Sequence, residues 1–191
     1  MLSNQTETDL CRRLQASDRS AYEAAFRLLR GGLLRYVRSI VADDAIAHDL
    51  VQDVFVSLWG LRATLDPARS LKAYVYTMAR NRAYRYLRDE RVHRQKHAII
   101  KEESSAFIST REWPSAHIDA DALKLRLQAW IEELPDRQRE AISLSRYHGM
   151  SHREVADVMG VSPRTVNNHI MRALEHLHLR VQAYEPSFLA S

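Results

Sequence analysis

The chain has few of the residues that break helices or crosslink loops. Of 191 residues, five are glycine, five are proline and one, Cys11, is cysteine. A single cysteine excludes an intramolecular disulfide, and a reducing, cytoplasmic compartment is the expectation. So little glycine and proline argues against a collagen-like or β-rich chain. No stretch alternates apolar and polar residues long enough to suggest a sheet, and no internal repeat is present. No run of about 18 apolar residues occurs, so no membrane span is expected. The opening stretch MLSNQTETDL is polar, so no secretion signal is expected. A glycine-rich phosphate loop is missing, as are a cysteine pair, an H-E-x-x-H motif and any nucleophile paired with an orienting base. Nine histidines are present, but their spacing does not suit a metal. His148 and His152 are four apart, with Gly149 and Ser151 breaking the helix between them. His176 and His178 are two apart and diverge on a helix. No metal, cofactor, small-molecule substrate or catalytic function is expected.

Helical periodicity is what the sequence does have. Hydrophobic residues make up 46% of the chain, enough for one large core or two small ones. Residues 18–41 carry Tyr22, Phe26, Leu29, Leu33, Val37 and Ile40 at spacings of three and four. Residues 44–59 carry Leu50, Val51, Val54, Phe55, Leu58 and Trp59, with Gly60 placed to end the helix. TLDPARS reads as a loop around Asp-Pro. A long helix is expected over 70–92, apolar at first (Leu71, Tyr74, Val75, Met78, Ala79) and basic later. The pattern weakens from about residue 95, and KEESSAFISTREWPSAHIDAD reads as a linker. Periodicity returns at Leu123, Leu127, Trp130, Ile131 and Leu134. Three helices follow, at about 136–148, 151–159 and 163–179, and the tail EPSFLAS is expected to fray. The fold class is therefore all-α, with two small helical domains joined by a flexible linker.

Charge is concentrated in one place. Residues 80–101 hold eight basic and two acidic side chains, whereas residues 1–79 hold ten and nine. That single segment supplies more than the whole net charge of +4. Eight cations within 22 residues repel one another without an anionic partner, so a local contact with polyanion is expected. Lys72, Arg80, Arg82, Arg85, Arg88 and Arg91 alternate with Tyr74, Tyr76, Tyr84 and Tyr86. Cations can follow a phosphate backbone, and aromatic faces can stack on unpaired bases. The plainer reading puts Tyr74 and Met78 in the core. Tyr84 and Tyr86 fit either reading.

The segment from Ser151 to Leu177 has the punctuation of a helix-turn-helix. Ser151 and Glu154 form a capping box. Val155, Val158 and Met159 give the first helix a buried stripe, and Gly160 can take the left-handed conformation that closes it. Ser162 is a good N-cap, and Pro163 sits at the first helical position. The second helix sets Val166, Ile170, Ala173 and Leu177 on one stripe. Arg164, Asn168, Met171, Arg172 and Glu175 fall opposite, with Asn167 and His169 on the flanks. Such a helix, held by its predecessor, can enter a major groove. Arginine suits guanine edges, asparagine suits adenine edges, and either can hold phosphate. A solvated polar face on an ordinary helical hairpin is the plain alternative, but the ordered caps favour DNA.

LPDRQREAISLSRYHGMSHREVADVMGVSPRTVNNHIMRALEHL closely resembles the fourth conserved region of bacterial sigma factors. Upstream, AHDLVQDVFVSLW resembles the core-polymerase-binding helix of region two. SLKAYVYTMARNRAYRYLRDERVHR resembles the part of that region that melts the promoter and reads the minus-ten element. Both blocks stand in order, with a short linker and no third region between them, which is the layout of the extracytoplasmic-function class. The resemblance covers roughly residues 10–94 and 122–182.

This resemblance implies a transcription initiation factor that binds core RNA polymerase and promoter DNA. Residues 1–94 would form region two, 95–121 the linker, 122–184 region four and 185–191 the tail. Asp49, Gln52, Asp53 and Phe55 would dock on the clamp helices of the polymerase's largest subunit. Lys72, Arg80, Asn81, Arg82, Arg85 and Arg88 would contact the minus-ten element, with Asn81 holding a flipped base. Arg164, Thr165, Asn167, Asn168, His169, Met171 and Arg172 would read the minus-thirty-five element. Many relatives carry a cation where Asn167 stands, which makes a different base preference possible here. An anti-sigma factor, often membrane-anchored among relatives, is the further partner that the resemblance implies. A stand-alone helix-turn-helix regulator is the alternative, although it would have no use for the Asp49–Trp59 block. A helical metal-dependent nuclease lacks clustered ligands.

Overall fold

A computed structural model describes residues 4–98 and 118–184, with side chains over 7–95 and 125–184. The chain divides into two compact units, residues 1–109 and 110–191. Eight α-helices and one short 3-10 turn are present among the described residues, with no strand.

The first unit holds α1 (Asn4–Gln15), α2 (Arg19–Val41), α3 (Asp44–Gly60), a 3-10 turn (Arg62–Thr64) and α4 (Leu71–Ala98). Aspartates start two of these helices. Asp18 accepts from the amides of Ser20 and Ala21, and Asp43 accepts from the amide of Ile46. α2, α3 and α4 pack on one another, and α1 lies against α2, the 3-10 turn and α4. Alanines line the close approaches: Ala21, Ala25, Ala47, Ala79 and Ala83 are all buried. Leu14, Leu33, Val37, Val54, Phe55, Leu58, Val75 and Tyr76 fill the space between, each large side chain contributing about 1.5–3 kcal/mol of burial. The large residues expected at the centre of α2's stripe, Tyr22 and Phe26, sit on its half-buried flank. Both rings meet Phe55 edge-on, at centroid distances of 6.5 and 4.7 Å.

α3 ends at Gly60, as expected, with Leu61 as its cap at φ −95°. Two expectations need correction in this unit. Tyr74 is not core: it is 37% exposed, and Tyr76 takes the buried place, its ring 5.3 Å from that of Tyr36. Met78 is only half-buried.

The second unit holds α5 (Ile118–Glu132), α6 (Asp136–Arg146), α7 (His152–Met159) and α8 (Pro163–Tyr184). α8 packs against α5, α6 and α7 and organises the unit. Trp130, Leu134, Ile142, Ala173 and Leu177 form its core cluster, flanked by Leu127, Ile131 and Val181. Arg180 of α8 pairs with Glu133 just beyond α5. α8 runs five residues past the expected end at 179, and there Tyr184 packs on Trp130 with ring centroids 5.9 Å apart. Of the expected linker, residues 99–117 lie outside the described residues, as does the tail 185–191.

Candidate nucleic-acid interface and docking face

α7 and α8 form the helix-turn-helix, and local chemistry fixes both ends of the turn. Ser151 Oγ accepts from the Glu154 amide at 3.3 Å, and Glu154 Oε2 accepts from the Ser151 amide at 2.8 Å. The capping box is therefore complete. Gly160 closes α7 at φ 67°, a conformation that costs residues with a Cβ about 1 kcal/mol or more. Ser162 Oγ accepts from the Thr165 amide at 3.1 Å, and Pro163 opens α8.

The stripe Val166, Ile170, Ala173 and Leu177 is buried, and the opposite face is open. Arg164, Asn167, Asn168, Met171 and Arg172 are exposed, while Thr165 and His169 are half-buried. Thr165 Oγ1 is 2.8 Å from Ser162 Oγ, so its hydroxyl belongs to the N-terminal cap. Among the described residues, Arg164, Asn167, Asn168 and Arg172 have no side-chain hydrogen bond. Their donors face solvent on one helical side, which suits phosphate or base edges.

The first unit presents two further faces. On α3, Asp49, Gln52 and Asp53 are exposed on one side. Phe55, grouped with them in the sequence reading, is 1% exposed. It packs behind the face against Tyr22 and Phe26 and cannot present to a partner. Val56 takes its place: three and four residues from Asp53 and Gln52, it is 69% exposed. A bare valine amid three polar residues is the mixture expected of a docking surface. Its spacing from Gln52 and Asp53 is visible in the sequence, but α3 is apolar on so many sides that one more valine does not stand out.

α4 carries the cationic face. Asn81, Arg85, Arg88 and Arg91 are exposed, with Tyr84 beside them. Several cations are engaged within the chain. The Arg80 guanidinium lies 4.6 Å from the Tyr84 ring centroid, and Arg82 donates to Ser57 Oγ of α3 at 2.5 Å. Arg88 pairs with Asp89 and Arg94 with Glu90. Lys72 is half-buried in the first turn of α4, and Tyr86 is half-buried farther along. α4 therefore combines a surface that can track phosphate with side chains that tie it to its own unit.

Comparison with known proteins gives the same division. A family model of sigma-70 region 2 matches residues 25–92, and one of sigma-70 region 4 matches residues 124–177. An extracytoplasmic-function RNA polymerase sigma factor, SigK, of Mycolicibacterium vanbaalenii is 26% identical over 88% of this chain and 85% of its own. The RNA polymerase sigma-H factor of Pseudomonas aeruginosa is 23% identical over 95% and 97%. Two solved structures share the fold. The sigma factor RpoE of Bartonella quintana, in complex with the anti-sigma factor NepR, matches at TM-score 0.65 and 24% identity, over 84% of this chain and 96% of that one. CnrH, in complex with the cytosolic domain of CnrY, matches at TM-score 0.63 and 22% identity, over 94% and 99%.

Proposed function

The chain belongs to the sigma-70 family, as a promoter-directing transcription initiation factor of the extracytoplasmic-function class, and from that premise we propose how its parts divide the work. Residues 1–94 act as region two and 122–184 as region four, followed by the tail 185–191; the expected linker 95–121 is trimmed at both ends, because α4 runs to Ala98 and α5 begins at Ile118. The face of Asp49, Gln52, Asp53 and Val56 docks on core RNA polymerase. Acidic side chains steer the encounter and set its orientation, and the valine supplies apolar contact. α4 then lies along the minus-ten element. Arg85 and Arg88 follow phosphate, Lys72 and Arg80 add charge on the N-terminal side of them, and Asn81 traps an unstacked base. Arg82 supports this surface by tying α4 to the docking helix α3. In region four, Arg164, Asn167, Asn168, His169, Met171 and Arg172 read the minus-thirty-five element, with Thr165 holding the helix start.

One observation carries this reading. A single unit combines an exposed acidic face on α3 with an exposed cationic face on α4, and the chain adds a capped helix-turn-helix. A regulator built on the helix-turn-helix alone leaves the first unit without a use. An anti-sigma factor covering these faces is a further proposed partner, suggested by the relative caught in complex with one.

In vitro transcription with purified core polymerase is the test. Specific initiation, dependent on both promoter elements, is expected. Tight duplex binding without polymerase, together with no initiation in its presence, would overturn the reading.

A further inference from the structure

α1 lies ahead of residues 25–92, where the region 2 match begins, yet it makes polar contacts with the start of α4. Leu10, Cys11 and Leu14 anchor it in the core of its unit. From that anchorage the Glu7 carboxylate reaches the first turn of α4. Its Oε1 accepts from the Lys72 amide at 2.6 Å and from Ser70 Oγ at 3.0 Å. Ser70 in turn accepts from the Ala73 amide at 3.2 Å, and its carbonyl accepts from the Tyr74 amide at 3.0 Å. Orphan donors at the start of α4 are thus met partly by Ser70 and partly by an anion 65 residues away. A carboxylate is also favoured at the positive end of a helix dipole. At the other end of α1, Gln15 Nε2 donates to the carbonyl of Leu65 at 2.7 Å. Just beyond, Ser17 Oγ accepts from Arg62 Nε at 2.9 Å. The connection from α3 to α4 is therefore held to the α1 segment at three points.

We infer that Glu7 is a positioning residue for promoter melting: from α1 it caps α4 at Lys72 and fixes the first turn of the reading helix. The inference rests on the reading of α4 as the minus-ten surface. Core packing sets the axis of α4, because α2 and α3 flank it. It does not itself supply acceptors to the first turn: Ser70 meets the Ala73 amide and Glu7 the Lys72 amide, and a helix that loses such an acceptor frays at that end. Lys72 stands in that turn, so a frayed start displaces a cation of the reading face. The capping is invisible to periodicity, because the two partners are far apart in sequence.

The test uses the full chain, core polymerase and a duplex promoter recovered by transcript mapping with the same proteins. Permanganate reactivity reports melted thymines at saturating core, a binding titration reports core affinity, and amide exchange reports Lys72. Glu7→Ala is expected to reduce melting about fivefold, the factor that loss of a typical helix cap corresponds to. Core affinity is expected to stay within about twofold. The Lys72 amide is expected to exchange faster than in the parent. Glu7→Gln keeps an acceptor oxygen in place and is expected to restore most of the melting. Melting within about twofold of the parent in Glu7→Ala would overturn the inference. A loss that disappears when more core is added, or an unchanged Lys72 amide, would do the same. Asn81→Ala, run in parallel, separates the two claims. If it weakens melting and Glu7→Ala does not, the capping role falls and the reading of α4 stands. If Asn81→Ala and Arg85→Ala both leave melting unchanged, the reading of α4 falls and takes the inference with it.

Discussion

The two helices proposed to read the promoter, α4 and α8, differ in how they spend their side chains. On α8, Arg164, Asn167, Asn168 and Arg172 point outward, without side-chain hydrogen bonds among the described residues. On α4, Arg80 lies over Tyr84, Arg82 bonds Ser57, and Arg88 and Arg94 pair with acids on their own helix. α8 is held by its apolar stripe, its caps and contacts near its C-terminal end, none of which uses Arg164, Asn167, Asn168 or Arg172. α4 is the longest helix among the described residues, and several of its outward residues are bonded within the chain. The lesson concerns mutational readouts. A change on the outer face of α8 should alter binding alone, whereas a change on α4 should mix stability with binding.

The largest expected effect lies on neither reading helix, and it checks that docking is separable from both. Asp49→Arg combined with Asp53→Arg reverses the α3 face. Like charges opposed at an interface cost several kcal/mol, so core affinity is expected to fall by about 3 kcal/mol. Both side chains are exposed, so helicity and thermal midpoint should hold. Unchanged co-elution with core would remove the docking face from the account.

The reading helices themselves supply the next contrast. Arg172→Ala is expected to weaken minus-thirty-five-dependent initiation by roughly 1–3 kcal/mol if it reads a base. Its effect on unfolding should stay within about 0.5 kcal/mol. Should only the salt dependence change, Arg172 is a phosphate contact instead. Arg82→Ala is expected to behave in the opposite way. It removes a charged donor from Ser57 and should cost the first unit about 1.5 kcal/mol in chemical denaturation. Part of any promoter defect would then be restored at lower temperature. If Arg82→Ala leaves stability untouched, α4 is as free as α8 and the contrast collapses.

Features set by neighbouring residues were readable in the sequence. The capping box at Ser151, the left-handed Gly160 and the Ser162–Pro163 start each depend on a few adjacent residues, and all are found. The α8 stripe was equally plain, because α8 has one buried side. α3 and α4 were harder, because each is packed on more than one side. Phe55 and Val56 are adjacent apolar residues, yet one is 1% exposed and the other 69%. Tyr74 and Tyr76 differ in the same way, because α2 places Tyr36 against the second. Alanines at close helix approaches carry little hydrophobic signal, so the stripe of α2 was assigned to its larger flanking rings. The contact from Glu7 to Lys72 joins elements that no local pattern connects.

The smallest expected effect returns to the two units through their helix caps. α2 and α3 begin on aspartates, Asp18 and Asp43, whereas α7 and α8 begin on serines, Ser151 and Ser162. The capping serine itself carries no charge to lose in acid, although at α7 its partner Glu154 does, whereas at α2 and α3 the capping residue is itself the acid. The hydroxyl of Ser20, then Arg13, and then the amides of Ser20 and Ala21 hold the Asp18 carboxyl down from 3.8 to about 2. Because the folded value lies below the unfolded one, the stabilisation is complete above about pH 4. It is lost as pH falls toward about 2, where the folded form also takes up its proton. Asp18→Asn keeps an acceptor for the amides but removes the charge. The stability difference between parent and Asp18→Asn should therefore be largest above pH 4 and shrink toward pH 2. Asp18 stands at the surface, so added salt should shrink it as well. Thermal unfolding of both chains across that range checks the sign. A difference that stays constant with pH would show that the cap acts through geometry alone, and the aspartate-capped unit would then be no more acid-sensitive at this site than the serine-capped one.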